Sequence, residues 1–300
     1  MLVNCDSLST PDVYDPIARE MAKRVSAVLV LVRFRMPPQH IHPAAVDDCV
    51  KVTEHVIRQA HNHNFDPNRV AVAGDGAGGQ LAAAVTLKVK RLIKIQILIC
   101  PWLQLFDLQT LSYIENRKYL PGMRSDGDPL TGWMRYGNIP DVHLADLMEN
   151  RHTSASVKKS RHATYVAPSL YTRHRIRTEA LRDPDKPNNF GNEAVSEKLS
   201  QTITDPLFAP LMADAKDFRY VPSMAYIVTA GYDVARDDGL IYWQRLKNAQ
   251  IKAKLAHYED GFNNMLVFAP VGSASSSLHL TFSIGKRVLD DLIIYLLDEL

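Results

Sequence analysis

Cysteine is scarce in this chain. Its 300 residues hold three, Cys5, Cys49 and Cys100, with no C-x-x-C pair and no histidine at metal-ligand spacing from them. An odd, scattered set excludes a complete disulfide framework and reads as free, mostly buried thiols. Long apolar runs are also lacking. The strongest near the start, residues 25–32, falls well short of the roughly 20 residues needed to span a bilayer. The opening MLVNCDSLST has no basic n-region and no apolar h-region, and no N-x-S/T acceptor occurs anywhere. Read literally, the sequence is that of a soluble chain with no membrane span, and it names no compartment. Neither sign of charge dominates: 35 Lys and Arg against 33 Asp and Glu give a net charge of +2. That balance excludes the basic footprint of a nucleic-acid binder. There is no internal repeat and no low-complexity tract.

The composition that remains is that of a globular domain, 46% hydrophobic and 23% charged. Residues 15–23 read as a short helix, with Asp15 as N-cap and Pro16 at its first position. Residues 25–34 (VSAVLVLVRF) predict a parallel strand covered on both faces, ended by Pro37 and Pro38. Residues 44–61 have helical spacing. Residues 69–73 predict a strand, followed by a glycine cluster and an alanine-rich helix over 80–90, then a strand over 92–100. Strand–helix alternation implies a mostly parallel, doubly wound sheet. From about 107 to 205 the pattern degrades into a polar, Pro-interrupted stretch, read as a helical insertion over one end of the sheet, with part of 150–192 mobile. Strands are expected again at 224–230 and 251–256, and helices at 237–248 and 280–297. The whole reads as a single α/β domain, 1–300, with an insertion.

The most informative stretch is Gly74-Asp75-Gly76-Ala77-Gly78-Gly79-Gln80, a tight strand-to-helix turn. One reading is a dinucleotide fingerprint: Gly74, Gly76 and Gly79 fit G-x-G-x-x-G, with a pyrophosphate on the helix N-terminus. The acidic residue expected about 20 positions later is missing, since residues 92–100 offer only Lys94 and Gln96. The other reading is a nucleophile elbow, G-x-S-x-G, whose central serine is glycine at Gly76. An elbow strains its central residue and demands small neighbours, which glycine supplies. A generic glycine turn also fits, and the motif alone does not decide.

Other segments carry a resemblance. GDGAGGQLAAAV is similar to the GDSAGGNLAAAV of arylacetamide deacetylase and its relatives. Phe34-Arg35-Met36-Pro37-Pro38 resembles the family's YRLAP, and Asp66-Pro67 with Arg69 its approach to the elbow. Residues 205–211 (DPLFAPL) resemble the loop returning from the lid. Residues 232–239 (YDVARDDG) resemble YDxLRDDG, and 259–263 (EDGFN) resemble EDGFH. The pieces occur in the family's order along nearly the whole chain. The sequence is thus identified as a member of the arylacetamide deacetylase-like branch of the hormone-sensitive-lipase family.

The resemblance implies an α/β-hydrolase fold with a helical cap at about 107–205. It also implies hydrolysis of carboxylic esters and amides of lipophilic substrates, with no cofactor and no metal. Carried over, the triad serine falls on Gly76, the acid on Asp233 and the histidine on Asn263. The Ala77 N–H falls on one oxyanion donor. The chain begins where the family's HGGG loop should end, so that loop, the first strands and the N-terminal endoplasmic-reticulum membrane anchor are expected to be missing. Glycine has no nucleophile, and asparagine cannot take a proton near neutral pH. The expectation is a pseudoenzyme that keeps only its acid, with a small lipophilic ligand as the partner that fits under the cap; the alternative is a carboxylesterase with residual or cryptic activity. Substitutes are poor. His257 reads as a strand-edge histidine, Ser7 and Ser9 as hydroxyls of a frayed terminus, and Asp75 as a structural partner. His61, His63 and Asp66 read as solvated side chains rather than metal ligands.

Overall fold

Four short strands carry the architecture in the computed structural model, which describes residues 11–117, 129–167, 170, 191–271 and 281–300. In chain order, α1 (Pro11–Val25) and α2 (Ala44–Arg58) precede β1 (Ala71–Asp75), α3 (Ala77–Val89) and β2 (Ile95–Ile99). The connection to the next strand is long, and among the described residues it holds short helices. They are α4 (Leu111–Asn116), α5 (Pro129–Tyr136), α6 (Leu144–Met148), α7 (Ala155–Lys158) and α8 (Glu193–Ile203). Then come β3 (Met224–Ala230), α9 (Arg236–Asn248), β4 (Lys252–Tyr258) and α10 (Ser283–Glu299).

The sheet is parallel throughout, in the order β1-β2-β3-β4, with Ala71 opposite Ile95, Ile95 opposite Met224 and Met224 opposite Lys252. Parallel strands are covered on both faces and therefore read as continuous apolar runs. Every residue of β1 and β2 is buried. Edge strand β4 instead alternates, exposing Lys252 and Lys254. Two apolar layers enclose the sheet. One, against α1 and α10, contains Tyr14, Ile97, Val228 and Leu292. The other, against α2, α3, α9 and the long connection, contains Val46, Leu81, Leu98, Ile227 and Trp133.

Two expectations are corrected. Residues 25–34 are not a strand, and only Leu31 forms an isolated bridge. A strand requires a neighbour in register as well as an apolar run, and no continuous ladder for these residues occurs among the described residues. The first helix starts at Pro11, so Pro16 lies inside it rather than at its head. Burial of Tyr14 and Ile17, both 1% exposed or less, offsets the lost hydrogen bond. Among the described residues of 107–205 there is no strand, and Asn192 caps α8 by accepting from the Ala194 and Val195 amides. Residues 168–169 and 171–190, within the stretch expected to be mobile, lie outside the described residues, as do Cys5, Ser7 and Ser9.

Candidate active site

The C-terminal ends of parallel strands leave loops on one rim of the sheet, where ligands of such folds bind. β1 ends at Asp75, β2 ends at Ile99 just before Cys100, and β3 leads through Gly231 to Asp233. The turn at Gly76 is very tight. Gly76 has φ +57 and ψ −118, a conformation that L side chains rarely adopt, and it caps α3. A Cβ on Gly74 would lie 1.9 Å from the Gly78 carbonyl oxygen. The Gly78 backbone thus leaves no room for a side chain at Gly74, and Pro101, whose Cβ would lie 2.8 Å from a Cβ on Gly79, leaves none there either. The Gly76 amide donates to Ile99 O at 2.9 Å, fastening the turn to β2. Ala77, the next residue, is exposed at the start of α3.

The structure brings Gly76, Asp233 and Asn263 together. A Cβ on Gly76 would stand 3.7 Å from both Asn263 Oδ1 and Asn264 Oδ1, an ordinary contact with room to spare. Asn263 Nδ2 donates to Asp233 Oδ1 at 3.4 Å, a long bond, and the Ala235 amide donates to the same oxygen at 3.1 Å. Asp233 is 1% exposed. Its Oδ2 has no hydrogen-bond partner among the described residues. Burial dominates the outcome and pushes the Asp233 carboxyl up to about 6, despite the Ala235 amide, Asn263, Arg236 and the thiol. The same burial, with the nearby Asp233 and Asp75 charges, raises the Cys100 thiol well above its ordinary value. Cys100 is thus an inert thiol rather than a spare nucleophile.

Asp75, beside the glycine, accepts from the Tyr14 hydroxyl at 2.9 Å and ties the turn to α1. Asp238 accepts from the Leu103 amide at 2.9 Å and Gln104 Nε2 at 3.0 Å, and burial pushes it up to about 7. Asp237 accepts from the Ser112 amide at 2.7 Å. These two acids hold the start of the long connection against α9. Sequence reasoning quoted both in a motif but did not read their bonding, since their partners lie 125 and 135 residues away. Another support, Tyr14, has no local signal at all.

His257 does not face the site. Its Nδ1 is 2.9 Å from Thr229 Oγ1 and its Nε2 is 3.1 Å from Glu259 Oε2. His61, His63 and Asp66 are exposed between α2 and the start of β1, the end of that strand opposite Gly76. Aromatic contacts fill the junction between the sheet rim and the long connection: Trp102 with Trp133 at 5.8 Å, Trp133 with Phe208 at 5.6 Å and Tyr136 with Phe208 at 5.8 Å between centroids. A cavity of about 310 Å³ lies beside β1. No helix among the described residues is long and apolar enough to cross a membrane.

Known proteins share this frame. The alpha/beta hydrolase fold family matches residues 6–136 and 143–266. Neutral cholesterol ester hydrolase 1 of Bos taurus is 31% identical over 300 residues, covering 94% of this chain and 68% of that protein. Arylacetamide deacetylase of Oryctolagus cuniculus is 30% identical over 266 residues, covering 85% of this chain and 64% of its own length. The solved esterase of the hyperthermophilic archaeon Pyrobaculum calidifontis superposes with a TM-score of 0.64 at 20% identity, covering 99% of this chain and 75% of its own. The chain belongs to the α/β-hydrolase-fold family, in the hormone-sensitive-lipase branch that holds its cholesterol ester hydrolase and arylacetamide deacetylase relatives.

Proposed function

We propose that this chain is a non-hydrolytic member of its family, with residues 107–205 as its cap and a binding role in place of turnover. The observation that carries the reading is the contact series Gly76, Asn263, Asp233. Acyl transfer on such a rim needs a nucleophile, a base that removes its proton and an acid that orients the base. Gly76 occupies the nucleophile position, Asn263 the base position and Asp233 the acid position. The acid is buried and in place. The amide that touches it donates one proton and can accept none. The Ala77 N–H remains as an oxyanion donor, because a backbone group survives any change of side chain. In a serine protease, losing one triad member costs about as much as losing all, on the order of 10⁴ to 10⁶ in rate.

The relatives are named for hydrolysing cholesterol esters and for deacetylating arylacetamides. A lipophilic carbonyl compound is accordingly the ligand class that the site favours. A nucleotide is disfavoured by electrostatics, because Asp75 and Asp233 flank the turn on which a pyrophosphate would have to sit. Two first-turn amides, Gly79 and Gln80, are also already bonded to Gly76 O at 3.0 and 3.3 Å.

Covalent trapping tests the proposal. Purified chain incubated with a fluorophosphonate ester should show no adduct by intact mass. The variant carrying Gly76→Ser with Asn263→His should acquire one. An adduct on the unaltered chain, mapped to any residue of this rim, would overturn the reading.

A further inference from the structure

Two oxygens bound the space that Gly76 leaves. Outside its chain neighbours, a Cβ built on Gly76 would have two heavy atoms within 4 Å among the described residues, Asn263 Oδ1 and Asn264 Oδ1, each at 3.7 Å. Both are amide oxygens, which accept hydrogen bonds and have no proton to give. Asp233 sets the orientation at position 263. Asn263 Nδ2 donates to its carboxylate, and turning the amide over would set oxygen against oxygen, so Oδ1 is held toward Gly76.

Charge points the same way. The Asp233 and Asp75 carboxylates both act on the Cys100 thiol, and Cys100 directly follows Ile99, whose carbonyl accepts the Gly76 amide. Both carboxylates thus lie within electrostatic reach of the turn. The cation beside Asp233 is committed elsewhere: Arg236 pairs with Asp237 at 3.2 Å and with Glu115 at 3.2 Å. The N-terminus of α3 opposes a positive ligand, but its Gly79 and Gln80 amides are turned to Gly76 O. Trp102, whose amide reaches Gly76 O at 3.4 Å, joins this spot to the aromatic junction with Trp133 and supplies apolar surroundings for a lipophilic body.

We propose that the rim binds a lipophilic primary ammonium, its head group seated over Gly76 between Asn263 Oδ1 and Asn264 Oδ1. The inference rests on reading this rim as a binding site and adds the head group of its ligand. An ammonium brings three protons, enough for both oxygens. An alcohol brings one. An ether or ester oxygen brings none and faces two acceptors, which a site built for a donor rejects.

4-Phenylbutylamine, 4-phenylbutanol and 4-phenylbutyl methyl ether share one body and differ in the head group, and the amine is protonated at pH 7.5. Isothermal titration should give the amine an affinity about tenfold or more above the ether, with the alcohol between them. Gly76→Ala puts a methyl at the head-group position in ordinary contact with both oxygens, and it should abolish the advantage of the amine. Asn264→Gly removes one oxygen at a residue whose φ of +62 suits glycine, and it should reduce that advantage. Thermal melting shows that each variant is folded. Four results would each overturn the proposal: no binding of the amine at about 5 mM, an ether that binds as tightly, an alcohol that matches the amine, or an advantage that survives in folded Gly76→Ala. The series involves no turnover. Its failure leaves the non-hydrolytic reading intact, whereas a fluorophosphonate adduct on the unaltered chain strikes that reading alone.

Discussion

Replacing Asp233 with asparagine should stabilise the protein at neutral pH, although the side chain sits at the centre of the rim. The carboxyl is 1% exposed, and its burial raises it from 3.8 to about 6. The native state therefore holds the proton more tightly than the unfolded chain. Below about pH 3.8 the group is neutral in both states and carries no penalty. Between about 3.8 and 6 the unfolded state ionises first and stability falls. Above about 6 the penalty is complete, about 2 pH units at 1.36 kcal/mol each, or about 3 kcal/mol. Asparagine keeps an oxygen for the Ala235 amide and never ionises. Removing the charge also relieves Asp238, whose carboxyl Asp233 pushes upward. Urea unfolding of both proteins at pH 4 and pH 8 measures the effect. The variant should gain up to about 3 kcal/mol at pH 8 and almost nothing at pH 4. A variant less stable than its parent at pH 8, or a difference that does not shrink on acidification, would refute the reasoning.

Other substitutions probe separate links. Gly74→Ala drives a methyl against the Gly78 carbonyl and should cost about 3 kcal/mol or more, read as a fall in melting temperature. Gly76→Ser alone has space but takes an L residue to φ +57, so it should cost about 1 to 3 kcal/mol without unfolding the chain. Arg245 donates to Leu211 O and Ala213 O and stacks over Tyr165 at 4.2 Å and Phe218 at 4.7 Å. Arg245→Met leaves two buried carbonyls without donors and should destabilise by about 2 to 4 kcal/mol in chemical denaturation. Its guanidinium, pushed down by burial to about 10, should also lose this hold at strongly alkaline pH.

Much of the frame is legible in the sequence where one local signal suffices. Residues 224–230 form a continuous apolar run and are β3 from end to end. β4 alternates because one side of it meets water, and its lysines mark it as an edge. Gly76, Asp233 and Asn263 are findable because the motifs that hold them resemble the family's GDSAGG, YDxLRDDG and EDGFH. Residues 25–34 show the limit. Their composition suits a strand, but strand formation depends on a partner, and no local pattern reports whether one is present. The helix at Pro11–Val25 shows the same limit in reverse. Pro16 marks a helix start by local rules, yet tertiary burial of Tyr14 and Ile17 extends the helix past it. The supports of the rim were invisible for a third reason. Tyr14 reaches Asp75 across 61 residues, and Asp238 reaches Leu103 across 135.

The account turns on whether this rim performs hydrolysis, and turnover of p-nitrophenyl butyrate by purified protein decides it. The unaltered chain should match buffer after contaminating esterases are removed. The variant with Gly76→Ser and Asn263→His should exceed it by about 10³ or more, since a complete triad is worth on the order of 10⁴ to 10⁶. Turnover by the unaltered chain that Asp233→Ala abolishes would contradict the account.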